Sequence, residues 1–141
     1  ISDENETYIT FQMTYKEAIN ALEIAHIRKK ECPVVWNEKI GYWKLLKDMS
    51  QQQQCKEFVS KKIDALIQYD KENESDLIET LEALVNHLGA RNITATSLYL
   101  HRNTLMYRIK KIENLTGYDL SDPESILELS LALRLNKFMN H

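Results

Sequence analysis

Arg91, Arg102, Arg108, Lys110 and Lys111 stand in one window, residues 89–112, that holds no aspartate and no glutamate. Five of the 18 basic residues fall there and none of the 21 acidic ones, although the chain as a whole carries a net charge of −3. A confined basic window on an acidic chain is the footprint of a surface that binds a polyanion. The plainer alternative is a solvated helix face. The other residues of the window favour the first reading. His101, Arg102, Asn103, Thr104, Met106, Tyr107, Lys110 and Lys111 bring imidazole, guanidinium, amide, hydroxyl, phenol and ammonium groups together within a few turns. Amides and guanidiniums pair with base edges in the major groove, while ammonium and hydroxyl groups meet phosphates. These eight residues are the candidate contacts to double-stranded DNA.

Such groups work only if a scaffold turns them outward. At about 100° per residue, Leu105, Ile109, Ile112 and Thr116 fall on one stripe of a helix, and Asn103, Tyr107, Lys110 and Asn114 on the opposite one. Arg102 and Thr104 sit in its first turn, where free backbone N–H groups also favour a phosphate. The pattern predicts this helix over residues 102–115, ended by Gly117. A shorter helix over about residues 92–100 precedes it and offers Ala95, Leu98 and Leu100 for packing. Two short helices joined by a tight turn, the second basic, meet the demands of a helix-turn-helix. Upstream, Leu77, Ile78, Leu81, Leu84, Val85 and Leu88 give an amphipathic helix, with Gly89 placed for a left-handed cap. Downstream, Asp122 as N-cap and Pro123 in the first turn open a last helix. Ile126, Leu127, Leu129, Leu131, Ala132, Leu133, Leu135, Phe138 and Met139 line nearly all of its faces. That abundance suits the core of a small helical unit, and its surplus permits a dimer interface.

These residues resemble those of a known family. Residues 77–138 are similar to the C-terminal helix-turn-helix of the PucR/CdaR regulators. The likeness rests on Thr80-Leu81, Ala95, Leu98, His101-Arg102-Asn103-Thr104-Leu105 and Tyr107-Arg108. It continues through Gly117, Asp119-Leu120-Ser121-Asp122-Pro123 and Leu131-Ala132-Leu133. The Arg-x-Thr-Leu core is also similar to the Fis-type helix-turn-helix, whose recognition-helix start contacts DNA. More distantly, residues 14–70 resemble the tail of the cyclase-like domain that precedes this module in the family, without a complete active site. Two positions depart from the pattern. Met106 stands where the family often has a basic residue, which implies one phosphate contact fewer, and Arg91 stands where it often has an apolar one.

Together the pattern and the resemblance imply a mainly α fold: a helix-turn-helix bundle over residues 76–141, after a small mixed α/β portion. Residues 1–70 would then be a partial cyclase-like or helical connecting region. The implied function is sequence-specific binding of double-stranded DNA as the C-terminal part of a cytoplasmic transcriptional regulator. Helix 102–115 would lie in the major groove, the protein would be a homodimer, and its effector would be bound by an N-terminal domain outside this chain. The alternative is a protein-interaction module that uses a helix-turn-helix scaffold for docking.

The first half is less regular. Residues 8–13 and 34–36 read as short strands. A capping box, Thr14-x-x-Glu17, opens a helix with Tyr15, Ala18, Ile19, Leu22 and Ala25 on one stripe, ended by Pro33. A second helix is predicted over residues 41–49. Cys55, Phe58, Val59, Ile63, Leu66 and Ile67 then mark a third, and residues 70–75, polar throughout, read as a linker.

Other functions find little support. Cys32 and Cys55 have no CxxC pairing, so buried thiols in a reducing cytosol are the expectation, with a single disulfide as the alternative. His26, His87, His101 and His141 lack ligand partners at metal-binding spacing, so neither metal nor cofactor is expected. With three glycines and no nucleophile–base arrangement or phosphate loop, an enzyme is not expected. No run of about 18 apolar residues predicts a membrane span, and no signal peptide is recognised. The start at Ile1, followed by acidic and polar residues, suggests a piece of a longer protein. Individual candidates also have structural readings. His101 could cap a helix, Tyr107 could cover apolar surface, and Arg108, about 60° from the buried stripe, favours an ion pair that braces the fold.

Overall fold

The computed structural model describes residues 42–140, together with Ile19 in a helical segment. The described residues are mainly helical, with no strand among them. The elements are α1 (Trp43–Ser50), α2 (Gln53–Asn73), α3 (Leu77–Asn86), α4 (Arg91–Ser97), α5 (Arg102–Thr116) and α6 (Pro123–Met139). The expected strands at residues 8–13 and 34–36 and the capping box at Thr14 lie outside the described residues. The chain divides into two compact units, Ile1–Met49 and Ser50–His141. In the first, α1 corresponds to the helix expected over residues 41–49 and buries Trp43 and Leu46. The Tyr42 ring stacks on Trp43, with centroids 5.6 Å apart.

The second unit is built around three apolar stripes. Val59, Ile63 and Leu66 recur at helical spacing along α2 and are almost wholly buried. Leu77, Leu81, Leu84 and Val85 do the same on α3, and Leu105, Ile109 and Ile112 on α5. The α2 and α3 stripes find cover on α6, which is apolar around much of its circumference, and α5 packs on α2, α3 and α4. Ile126, Leu129, Ala132, Leu133, Leu135 and Phe138 are all buried. α2 and α3 both pack against α5 and α6, and α4 bridges α3 and α5. Lys62 of α2 adds a polar clasp. It meets Glu128 of α6 at 2.5 Å and lies over the Tyr118 ring, 4.5 Å from its centroid.

The polar stretch at residues 70–75 is a tight corner rather than a slack linker. α2 runs on to Asn73, and Glu74 turns the chain in the left-handed region with φ 49°. Asp70 then reaches across the corner. Its carboxylate accepts from the backbone N–H groups of Leu77 and Ile78, both at 2.9 Å, and from the Ser75 hydroxyl at 2.6 Å. Those N–H groups are among the orphan donors of the α3 N-terminus. Asp76, the N-cap by position, makes no capping bond. Its side chain serves another helix, described below. Further on, Asp122 caps α6 as its sequence predicts, accepting from the Ser125 N–H at 3.0 Å with Pro123 in the first turn.

Candidate nucleic-acid interface

α4 and α5 form the pair that the sequence places at the site. α4 begins at Arg91 and ends at Ser97, slightly earlier at both ends than expected. Its Thr94 and Ala95 are buried, the small side chains that let a neighbouring helix approach closely. The turn to α5 is closed by Leu100 N–H on Ala95 O at 2.9 Å. It requires Tyr99 at φ +54°, the left-handed region that an L side chain with a Cβ adopts at a cost. The Tyr99 side chain is 97% exposed, so no packing contact offsets that cost.

α5 then starts on a side-chain cap. His101 Nδ1 accepts from the Asn103 N–H at 3.2 Å, as its structural reading requires, and the residue remains exposed. At the far end Gly117, at φ +76°, closes the helix through its N–H on Glu113 O at 2.8 Å. Three buried residues on one stripe fix the rotation of α5 about its axis. That rotation decides where each candidate contact goes. Arg102, Asn103, Thr104, Tyr107 and Lys110 are all exposed, and so is Asn114, which shares their stripe. These side chains form one outward face.

The remaining candidates are drawn to the flanks. Lys111 is half-buried, with its ammonium 4.6 Å from the centre of the Tyr69 ring on α2. Met106 is half-buried too, and its sulfur accepts from Arg91 at 3.8 Å. The two positions that depart from the family pattern therefore touch each other. Arg108 braces. Its guanidinium donates to the Thr80 hydroxyl at 3.1 Å and meets the Asp76 carboxylate at 3.3 Å, tying α5 to the start of α3. Thr80 is itself wholly buried and donates to Asp76 O at 2.7 Å.

The one acidic residue of α5 is engaged by the following loop. Glu113 turns its carboxylate away to accept the Leu120 N–H at 2.9 Å. Asp119, in the loop that follows, is held below the ordinary carboxylate range by hydrogen bonds from the Ser121 hydroxyl and N–H, with a smaller contribution from Arg91. The outward face of α5 thus carries cations, amides and a phenol with no carboxylate among them. Sequence reasoning did not place Tyr69, whose role depends on a contact between distant helices, nor Tyr99. Among the described residues no group of histidine, cysteine, aspartate and glutamate could hold a metal ion. No described helix is long and apolar enough to cross a membrane.

Residues 77–135 match the PucR C-terminal helix-turn-helix domain. That span runs from the first residue of α3 into α6, so the match covers the helix-turn-helix and the two helices that hold it. The chain is 30% identical over 138 residues to the proline-responsive transcriptional activator PutR of Bacillus subtilis (strain 168), covering 97% of this chain and 34% of that protein. It is 29% identical over 140 residues to the purine catabolism regulatory protein of the same organism, covering 99% of this chain and 26% of that protein. The carbohydrate diacid regulator of Escherichia coli (strain K12) is 39% identical over 66 residues, 47% of this chain and 17% of the regulator. The chain therefore spans about a third or less of the length of these relatives, each of which is named for a regulatory role and none for an enzymatic one. No solved structure matches it.

Proposed function

We propose that this chain binds double-stranded DNA as the C-terminal part of a transcriptional regulator, with α5 as the recognition helix in the major groove. The observation that carries the proposal is the acid-free outward face of α5, presented by a helix-turn-helix of PucR type. Arg102 and Asn103, in the first turn, are assigned to base edges, where a guanidinium suits guanine and an amide suits adenine. His101 and Thr104 lie beside them at the helix start, while Tyr107 and Lys110 face the phosphates. Met106 contributes through its exposed edge. Lys111 serves DNA only by leaving the Tyr69 ring. The protein acts in the cytoplasm as a homodimer, since one helix-turn-helix reads a short half-site and regulators double it at a spacing of about one DNA turn. The regulator's effector is assigned to an N-terminal domain outside this chain, which spans about a third of the Bacillus regulator's length. The likeness to the Bacillus regulators extends over 138 residues, which supports reading residues 1–70 as a continuation of the family's preceding cyclase-like or connecting region.

Fluorescence anisotropy with operator and random duplexes, repeated across salt concentrations, tests the assignment. Arg102→Ala or Asn103→Ala should lose about 1–3 kcal/mol of preference for the operator and leave random-duplex binding nearly unchanged. Lys110→Ala should weaken both equally and lower the salt slope by about one, whereas Lys111→Ala should change the slope by less. A salt-independent signal, or wild-type binding by all four variants, would instead favour a docking role for the helix pair.

A further inference from the structure

A cleft of about 530 Å³ opens where the end of α3, the first residue of α4, the loop before α6 and the first turns of α6 meet. Val85, Leu88, Leu120, Ile126 and Leu127 give it an apolar lining. Leu88 and Leu127 are 87% and 62% exposed, so much of this apolar surface has no cover within the chain. The polar lining is largely committed. The Ser121 hydroxyl is bonded to Asp119, and the Ser130 hydroxyl accepts from Arg134. Arg91 is the one cation among the lining residues. Its guanidinium donates to the Met106 thioether at 3.8 Å, a weak acceptor that leaves the planar fork without a carboxylate or phosphate of matching shape.

We propose that this cleft binds a small amphipathic carboxylate. Its apolar chain or ring lies against Leu88, Ile126 and Leu127, and its carboxylate takes the Arg91 fork. The volume falls within the roughly 300–1,000 Å³ range of small-molecule sites, which are commonly apolar with a few polar groups that fix orientation. Two charge-assisted hydrogen bonds to a carboxylate outcompete one weak bond to sulfur. Asp119 feels the Arg91 charge, but the bonds its carboxylate makes are to the Ser121 N–H and hydroxyl. Binding draws the guanidinium off Met106, so occupancy of the cleft is felt on the flank of α5. The inference stands on the cleft alone and holds whether or not α5 reads DNA.

Octanoate, 1-octanol and acetate, titrated into the whole 141-residue chain and followed by amide and methionine-methyl NMR, provide the test. Octanoate should shift the amides of Leu88, Gly89 and Arg91 saturably and move the Met106 methyl. Octanol, with the tail but no charge, should bind at least about tenfold more weakly and leave that methyl in place. Acetate should do neither. Arg91→Gln should reduce octanoate affinity to the level of octanol. Leu127→Glu, at an exposed position, should weaken octanoate through charge repulsion while circular dichroism stays unchanged. Equal affinities for octanoate and octanol, shifts that map elsewhere, or an absence of saturation would overturn the proposal. So would cleft resonances that move with protein concentration alone, because a second copy of the chain would then be the occupant.

Discussion

α5 and α6 are nearly equal in length, 15 and 17 residues, yet they use their side chains in opposite ways. α6 buries residues around most of its circumference and gives α2 and α3 a common surface to pack on. α5 buries only Leu105, Ile109 and Ile112, pins its flanks with Arg108, Met106 and Lys111, and leaves Arg102, Asn103, Thr104, Tyr107, Lys110 and Asn114 to solvent. The difference shows what each helix is for. A helix that holds a core gains from every apolar face. A helix that offers its surface to a partner needs only enough burial to fix its rotation.

The largest expected effect contrasts the interior of α6 with the free face of α5. Leu129 is wholly buried on α6, and Leu129→Ala should cost about 2–5 kcal/mol in urea unfolding through lost burial and a residual cavity. Tyr107→Ala, on the 68% exposed outward side of α5, should stay within about 0.5 kcal/mol of the wild type. Comparable losses from both would break the contrast. The capping residues sharpen it at a smaller scale. Asp122 accepts from both the N–H and the hydroxyl of Ser125 at 3.0 Å, whereas His101 makes one longer bond at 3.2 Å from an exposed position. Asp122→Ala should cost about 1 kcal/mol or more, and His101→Ala about half that or less, in the same assay. One modest effect has the opposite sign. Tyr99→Gly should stabilise the fold by roughly 0.5–1 kcal/mol, because relief of the left-handed strain exceeds the chain entropy that glycine adds to the unfolded state.

Features of the molecule that rest on neighbouring residues were legible in the sequence. The Asp122-Pro123 start of α6, the Gly117 end of α5 and the outward stripe of Asn103, Tyr107, Lys110 and Asn114 follow from cap chemistry and helical period. Arg108 was half legible, since its angle to the buried stripe pointed to a brace, but Asp76 and Thr80 as partners depend on how α3 crosses α5. Asp70 was misread as linker because it caps a helix that begins seven residues later, around a corner no local pattern announces. Lys111 belonged by composition to the basic window, and only the approach of α2 brings Tyr69 beneath it. For the remaining candidate contacts, exposure follows from the sequence stripe, while their partners lie beyond the chain.

One consequence follows from the corners at the two ends of α4. Leu88 and Tyr99, neither a glycine, hold φ values of 53° and 54° on either side of a seven-residue helix. Each left-handed residue raises the energy of the closed state by about 1–2 kcal/mol, and both relax when α4 lets go. The shift from either residue alone multiplies an open population by roughly 5–30. α4 is thus the element whose amides should trade their hydrogens with water soonest among the helices of this unit, a hinged edge on an otherwise well-closed bundle.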